Sequence, residues 1–277
     1  MINLKYLLYE ALGVKKSPKP IKSGKTQCWY GRVNSWSSAK KSVLRQDLDN
    51  CVKYGVSGYH IELVGWSKFD TDPTSYRSDG YYKTVRERYE YLVKACRARG
   101  LWLFVSVLND NAGKSGNKYN PRLEQQQDNV QFALNLVKKH GPRNVIVQCV
   151  AEIQTKFGEN IENAWSSIYR RMGFNVVYNG GGRAEGVKYG ANWYAVHPSS
   201  ISRMYSPPAF MVSDHSLILR ELCKGGNICG MGNPDAIRLW RNNCGENGNP
   251  VVCFYHYGYD GSRGSDKKAI QAIGGKR

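Results

Sequence analysis

The sequence predicts an α/β fold, a single-domain (β/α)8 TIM barrel with a short N-terminal helical and basic extension, and three observations support this. Eight apolar, strand-like runs recur along the chain, with helix-like patterns between most of them. The chain has 277 residues, and an α/β barrel typically takes about 250. The first strand is followed by RVNSWSS. An open doubly wound sheet, the main alternative, normally carries a Gly-rich phosphate turn there.

Residues 1–25 form the predicted extension, and residues 26–277 the barrel domain. The start, MINLKYLLYEALGVKK, predicts a short amphipathic helix, and it lacks a charged leader with a small-residue cleavage site. We therefore expect no signal peptide, which leaves the cytoplasm and a virion both open as locations. Residues 15–25, KKSPKPIKSGK, predict a solvated connector rather than a nucleic-acid-binding arm, because aromatic residues are not interleaved with the lysines. No apolar run approaches the ~20 residues of a transmembrane helix.

The first half of the barrel domain contains four strands, each followed by a helix. Runs of β-branched and aromatic residues indicate the strands. Apolar residues at helical spacing, with Gly or Pro after the last turn, indicate the helices. The predicted elements are strand 26–33, helix 38–54, strand 56–66, helix 81–100, strand 101–111, helix 121–140, the stretch 144–157 with its strand ending at Glu152, and helix 161–173.

The second half of the domain is more compact, with a very short connection after the sixth strand. A helix is predicted near 233–243 and a last helix within 266–277. The predicted strands are 174–182, 193–200, 209–216 and 250–261.

The eight cysteines show no CxxC pair and no spacing typical of a structural zinc site, so we expect no cofactor. Three cysteines lie in apolar strand-like runs and are expected to be buried free thiols. Three others are close together in a Gly-rich region, where a loop disulfide stays open as an alternative. The first group is Cys28, Cys149 and Cys253, and the second is Cys223, Cys229 and Cys244.

The net charge of +18 arises from 40 Lys and Arg against 22 Asp and Glu. Such a field favours an anionic partner. The candidates are nucleic acid, a membrane surface, and an acidic polymer such as a cell-wall or capsular polysaccharide. Charge alone does not choose among them.

The carboxyl ends of barrel strands converge on one face, so polar residues at those ends form the candidate site. Two opposed carboxylates are what glycoside cleavage requires. Glu152 ends the fourth strand and Asp214 the seventh, whereas Glu62 and Asp110 could be the second carboxylate or could orient Glu152. The full set of strand-end candidates is Arg32, Glu62, Asn109, Asp110, Glu152, Asn179, His197, Asp214, His215, Tyr255, His256 and Tyr257.

Aromatic residues at or just after strand ends are candidate platforms for sugar rings, because their faces cover the apolar C–H faces of a sugar. About half of them are expected to be core residues instead. A metal set of Asp214, His215 and His256 stays open, whereas His197 is expected to form hydrogen bonds rather than bind metal. The candidate platforms are Trp36, Trp66, Trp193, Tyr255 and Tyr257.

Three strand-end motifs, AEIQ, VHPS and CFYHYGYD, resemble the corresponding strands of clan A glycoside hydrolases, the cellulase-like (β/α)8 enzymes. The resemblance implies that Glu152 is the acid/base, that His197 takes the strand-six position, and that an aromatic residue of the last strand floors the sugar site. Two residues depart from the pattern. Ala151 replaces the usual Asn before the acid/base, and Asp214 replaces the longer nucleophilic Glu, which puts a retaining mechanism in doubt.

The resemblance leads us to expect a glycoside hydrolase-like protein that cleaves a polysaccharide, such as an anionic wall or capsule glycan degraded by a phage-encoded protein. The two departures motivate a second hypothesis, a catalytically inactive barrel that binds glycan or serves as a virion or assembly component. Charge-driven nucleic-acid binding, which would weaken steeply with salt, is the third.

Overall fold

The structure is a computed structural model, and it describes most of the first 178 residues and shorter segments beyond them. The described residues are 3–20, 27–31, 36–37, 39–64, 79–110, 122–151, 153–178, 189, 191, 193–196, 210–212, 250–256 and 270–271.

Eight parallel strands form a closed barrel in chain order, in which β8 pairs with β1. This confirms the predicted (β/α)8 fold, and the open doubly wound alternative is wrong. Each strand lies inside its predicted range. The strands are β1 Gln27–Gly31, β2 Gly58–Val64, β3 Trp102–Asn109, β4 Val145–Ala151, β5 Asn175–Tyr178, β6 Trp193–Val196, β7 Phe210–Val212 and β8 Pro250–His256.

The described helices follow the predicted alternation. α4 is preceded by a 3-10 turn at Leu123–Gln125, and α5 begins earlier than predicted because Thr155 caps it by accepting from the Gly158 N–H. The predicted helix at 233–243 lies outside the described residues, and residues 270–271 of the last helix are helical. The helices are α1 Leu4–Ala11, α2 Lys41–Tyr54, α3 Asp79–Arg99, α4 Gln127–His140 and α5 Lys156–Arg171.

Strands β2, β3 and β4 are buried on both faces, as their apolar sequences predict. Successive side chains of β2 point alternately to the surrounding helices and to the barrel interior. The Tyr59 hydroxyl donates to Asp47 of α2 and so faces the helices, whereas His60 and Glu62 face the barrel interior. Leu103 is fully buried in the core, where truncation to alanine typically costs about 2–5 kcal/mol.

The N-terminal extension packs against the barrel. The Trp102 indole N–H donates to the Lys19 carbonyl (2.8 Å), and the Asn144 side-chain amide donates to the Lys16 carbonyl (3.0 Å). Trp102 begins β3, and Asn144 precedes β4. Residues 15–20 therefore cross the amino ends of these strands. Residues 15, 17, 19 and 20 are exposed, as expected of a connector, and the segment is also held against the barrel through its carbonyls; residues 21–25 lie outside the described part.

Cys149 is buried with a free thiol, as predicted, and Cys51 and Cys96 are also free and buried. The side chains of Cys28 and Cys253, and the residues of the expected loop disulfide, are outside the described part of the chain. Among the described helices, none is long and apolar enough to cross a membrane.

Candidate active site

The carboxyl ends of β2 and β3 bring Glu62 and Asn109 together inside the barrel. The Asn109 side-chain amide donates to the Glu62 carboxylate over 2.9 Å. Both residues are buried, with 4% and 6% of their surface exposed. A buried carboxylate needs such donors, because burial without them costs several kcal/mol. The pair provides a fixed polar group at the strand ends, where a sugar hydroxyl could bind.

Trp36 follows β1 and is 1% exposed. Its indole N–H donates to the backbone carbonyl of Glu62 over 2.5 Å. The ring therefore supports the end of β2 and presents no open face to a sugar. Trp36 belongs to the core fraction expected among the candidate platforms, which corrects its assignment as substrate-binding.

Asp110 stands immediately after β3, and its buried carboxylate holds the loop that follows β4. Its Oδ2 accepts from the Gln154 N–H (2.7 Å) and the Thr155 N–H (2.6 Å). Its Oδ1 accepts from the Thr155 hydroxyl (2.9 Å). Thr155 in turn caps α5 through Gly158 (3.0 Å). Asp110 thus orients residues 154 and 155 at the start of α5.

Glu162 holds the chain on the other side of residue 152. Its carboxylate accepts from the Val150 N–H of β4 (2.8 Å) and from the Ser166 hydroxyl. The pairing of β5 with β4 ends at Gln148, so the Val150 N–H lies beyond the last described β5 partner. Glu162 supplies the missing acceptor.

Burial raises the pKa of Glu162 to about 7, and the hydrogen bonds from Ser166 and Val150 oppose that rise. Glu162 is not at a strand end, so strand-end position does not predict it as a site residue. Its position on the helix does indicate burial. The buried residues of α5 recur at helical spacing, and they are Gly158, Glu162, Ser166 and Tyr169.

A polar chain crosses the barrel interior below these residues. The Ser106 hydroxyl donates to the Gln148 side-chain carbonyl (2.7 Å) and lies 2.9 Å from His60 Nε2. Since Ser106 uses its proton on Gln148, it accepts from His60, which places a proton on Nε2. Three neighbouring strands are thereby linked through their inward-facing side chains.

Most of the other predicted site residues lie outside the described part of the chain. Of Tyr255, only the backbone is described, and it pairs with Tyr30 of β1. The described residues contain no group of three or more His, Cys, Asp or Glu side chains suited to a metal ion. The predicted positions outside the described residues are Arg32, Trp66, Glu152, Asn179, His197, Asp214, His215 and Tyr257.

Comparison with known proteins finds similarity in structure alone. Neither a protein-family model nor a curated protein matches the sequence. A glycoside hydrolase family 5 structure from Bacteroides vulgatus has a TM-score of 0.54 and 12% identity, and the match covers 88% of this chain and 64% of that one. The endo-1,4-β-D-mannanase of Thermotoga petrophila has a TM-score of 0.52 and 11% identity, over 90% and 98% of the chains.

A GH113 β-1,4-mannanase also matches, with a TM-score of 0.50 and 12% identity over 91% of this chain and 98% of that one. Such identities establish architecture and leave chemistry to be argued from the site. The chain therefore has the (β/α)8 fold of clan A glycoside hydrolases, the family that its strand-end motifs resemble.

Proposed function

We propose that the protein is a glycosidase that cleaves a polysaccharide, with Glu152 as general acid/base and Asp214 as the second carboxylate. The observation that carries the proposal is the fixation of the chain on both sides of Glu152. Glu162 binds the amide of residue 150, and Asp110 binds the amides of residues 154 and 155. An acid/base must be held within hydrogen-bond reach of the glycosidic oxygen. The buried side chains of Glu162 and Asp110 hold the backbone on either side of Glu152 and so support such positioning.

Asn109 also supports the proposed acid/base role of Glu152. Clan A enzymes usually have an asparagine directly before the acid/base, where this chain has Ala151. Asn109 is the β3 residue in register with Ala151, so an amide side chain is present on the neighbouring strand. Together with Glu62 it forms the proposed substrate-binding pair. Arg32, His197, Trp66, Tyr255 and Tyr257 remain proposed substrate contacts.

Two observations guide the choice of substrate. Two of the structural neighbours are named β-1,4-mannanases, and the net charge of this chain is +18. The charge favours an acidic glycan, because a positive field raises the local concentration of polyanions. The substrate panel therefore consists of β-1,4-mannan and acidic wall and capsular polysaccharides.

The test measures new reducing ends released from each polysaccharide. Glu152→Gln should lower the rate by about 10²–10⁴-fold, the usual contribution of a general acid or base. The matched control is Glu87→Gln, which neutralises an exposed carboxylate on α3 and should leave the rate unchanged. Full activity of Glu152→Gln on every responsive polysaccharide would show that the acid/base assignment is wrong.

A second candidate function is glycan binding without hydrolysis, as a virion or assembly component. The specific observation in its favour is Ala151, which is described as the last residue of β4 and is buried. This function predicts saturable retention on a polysaccharide gel with no product, and equal retention of wild type and Glu152→Gln. Product formation that depends on Glu152 excludes it.

A further inference from the structure

Helix α1 presents a stripe of leucines to the outside. Leu4, Leu8 and Leu12 are 77%, 56% and 68% exposed, and Met172 is the only other exposed large hydrophobic residue among those the structure describes. Residues four apart lie on one face of a helix. Leu12 is the C-cap and keeps helical dihedral angles (φ −79°, ψ −1°). The three side chains therefore form one continuous apolar stripe, the leucine stripe.

The opposite face of α1 is fastened to the barrel. Arg99, at the end of α3, binds Glu10 (2.5 Å) and Asp49 (2.7 Å), and its own side chain is fully buried. Its guanidinium also covers the Tyr6 ring at 4.9 Å. At the start of the helix, the backbone N–H of Asn3 donates to the Asp49 carboxylate (3.2 Å). These contacts fix the rotation of α1, so the leucine stripe stays directed outward.

The N-terminal segment that carries the leucine stripe is positively charged. Residues 3–20 contain four lysines and one acid, and that acid, Glu10, faces inward to Arg99. Lys5, Lys15 and Lys19 are exposed, while the Lys16 ammonium lies 4.5 Å from the centre of the Tyr9 ring. A second copy of the chain would carry the same charges and be repelled. A surface with an apolar interior and anionic outer groups is complementary both to the leucine stripe and to the lysines.

We propose that α1 is an interfacial anchor that binds the surface of an anionic phospholipid bilayer. The leucine stripe enters the boundary between headgroups and acyl chains, and the lysines bind the lipid phosphates. Amphipathic helices bind bilayers by this combination of apolar burial and electrostatic attraction. Each basic residue near such a surface adds to the attraction. The proposal is independent of the proposed glycosidase activity.

The position of α1 gives the bound protein a definite orientation. Arg99 is the last residue of α3, and residues 15–20 cross the amino ends of β3 and β4. The anchor therefore lies at the end of the barrel opposite the carboxyl ends of the strands, where Glu62, Asn109 and Asp110 are. A bilayer bound through α1 therefore contacts the protein away from the candidate active site.

The experiment measures co-sedimentation of the protein with vesicles of phosphatidylcholine, with or without phosphatidylglycerol, at physiological salt. Wild type should bind the vesicles that contain phosphatidylglycerol. The Leu4→Ser/Leu8→Ser/Leu12→Ser variant should bind them at least about tenfold more weakly, because it loses the apolar contribution. Its melting temperature should match wild type, since the leucines are exposed. Met172→Ser is the matched control and should bind as wild type does.

Three results would overturn the proposal. The first is no binding of wild type to vesicles that contain phosphatidylglycerol. The second is equal binding by the triple serine variant, which would mean that general charge attraction accounts for association. The third is a wild-type dimer in light scattering that the serine substitutions convert to monomer, which would make the leucine stripe a contact between copies.

Discussion

The Asp110 carboxylate accepts hydrogen bonds from three donors in the loop after β4, and two of these donors belong to Thr155: its backbone N–H at 2.6 Å and its hydroxyl at 2.9 Å. Thr155 also caps α5. One buried side chain at the end of β3 thus determines both where α5 begins and where the preceding loop lies. This relationship couples helix stability to the geometry of the proposed acid/base.

Asp110→Ala should therefore lower the free energy of unfolding by about 1–3 kcal/mol, because it removes the charged acceptor of two partly buried N–H groups and of the Thr155 hydroxyl. It should also lower activity, since displacement of a catalytic group by about 1 Å can cost 10²-fold. Chemical denaturation and the reducing-end assay measure the two effects. Asp128→Ala, at an exposed first-turn position of α4, should cost at most about 1 kcal/mol. Equal losses for the two variants would contradict the role given to Asp110.

Gly158→Ala tests the close packing of α5 on Asp110. Alanine usually stabilises a helix interior by about 0.5–1 kcal/mol relative to glycine. Here the new Cβ would lie 2.7 Å from Asp110 Cγ, so we expect destabilisation instead. In an Asp110→Ala background the carboxylate is gone and the nearest atom of residue 110 is its Cβ, at 3.3 Å, so the same substitution should cost much less than in wild type. A double-mutant cycle by urea denaturation should give a coupling of about 1 kcal/mol or more. Additive effects would contradict the contact.

Much of this architecture is predictable from the sequence, because it depends on local patterns. The alternation of strands and helices predicts the barrel, and Glu62, Asn109 and Asp110 were correctly placed at strand ends. Periodicity and strand-end position do not reveal hydrogen-bond partners. The position of Trp36 after a strand predicts a sugar contact, whereas its indole N–H donates to the Glu62 carbonyl in the core.

The N-terminal segment illustrates the same limit. Its prolines and lysines are typical of a connector, yet its carbonyls accept hydrogen bonds from Trp102 and Asn144. Those partners are far away in sequence, and no local pattern specifies them. Glu162 lies at a buried position that helical spacing indicates, but its partner does not follow from that spacing: the Val150 N–H belongs to β4, twelve residues away, beyond the last described β4–β5 pair.

Glu162 should make stability depend on pH. Burial raises its pKa from 4.5 to about 7 in the folded protein, so the folded state retains a proton that the unfolded chain releases. The stabilisation is complete below pH 4.5 and is lost as the pH rises towards 7. Each pKa unit corresponds to about 1.4 kcal/mol, which places the total loss at about 3 kcal/mol.

The measurement is the free energy of unfolding at several pH values between 4.5 and 7. Glu162→Gln keeps an acceptor for Val150 and does not titrate, so its stability should fall less over this interval than that of wild type. Glu87→Gln, the exposed control on α3, should follow wild type. Identical pH profiles for wild type and Glu162→Gln would show that Glu162 ionises normally in the folded protein.

Arg99 should be the residue on which docking of α1 depends. Its guanidinium is fully buried between Glu10 and Asp49, and removal of one member of a buried ion pair typically costs about 3–5 kcal/mol. Arg99→Met should therefore destabilise the protein by about 3 kcal/mol. It should also speed trypsin cleavage after Lys5, Lys15 and Lys16, because a protease needs the backbone there to unfold. Arg86→Met, at an exposed position on the same helix, should change neither property.

Neutralising the partners in Arg99→Met/Glu10→Gln/Asp49→Asn should restore part of the stability, because the cost arises from uncompensated carboxylates. Urea denaturation and limited proteolysis measure these effects, and an Arg99→Met protein that resists trypsin as wild type does would show that α1 is held by its other contacts.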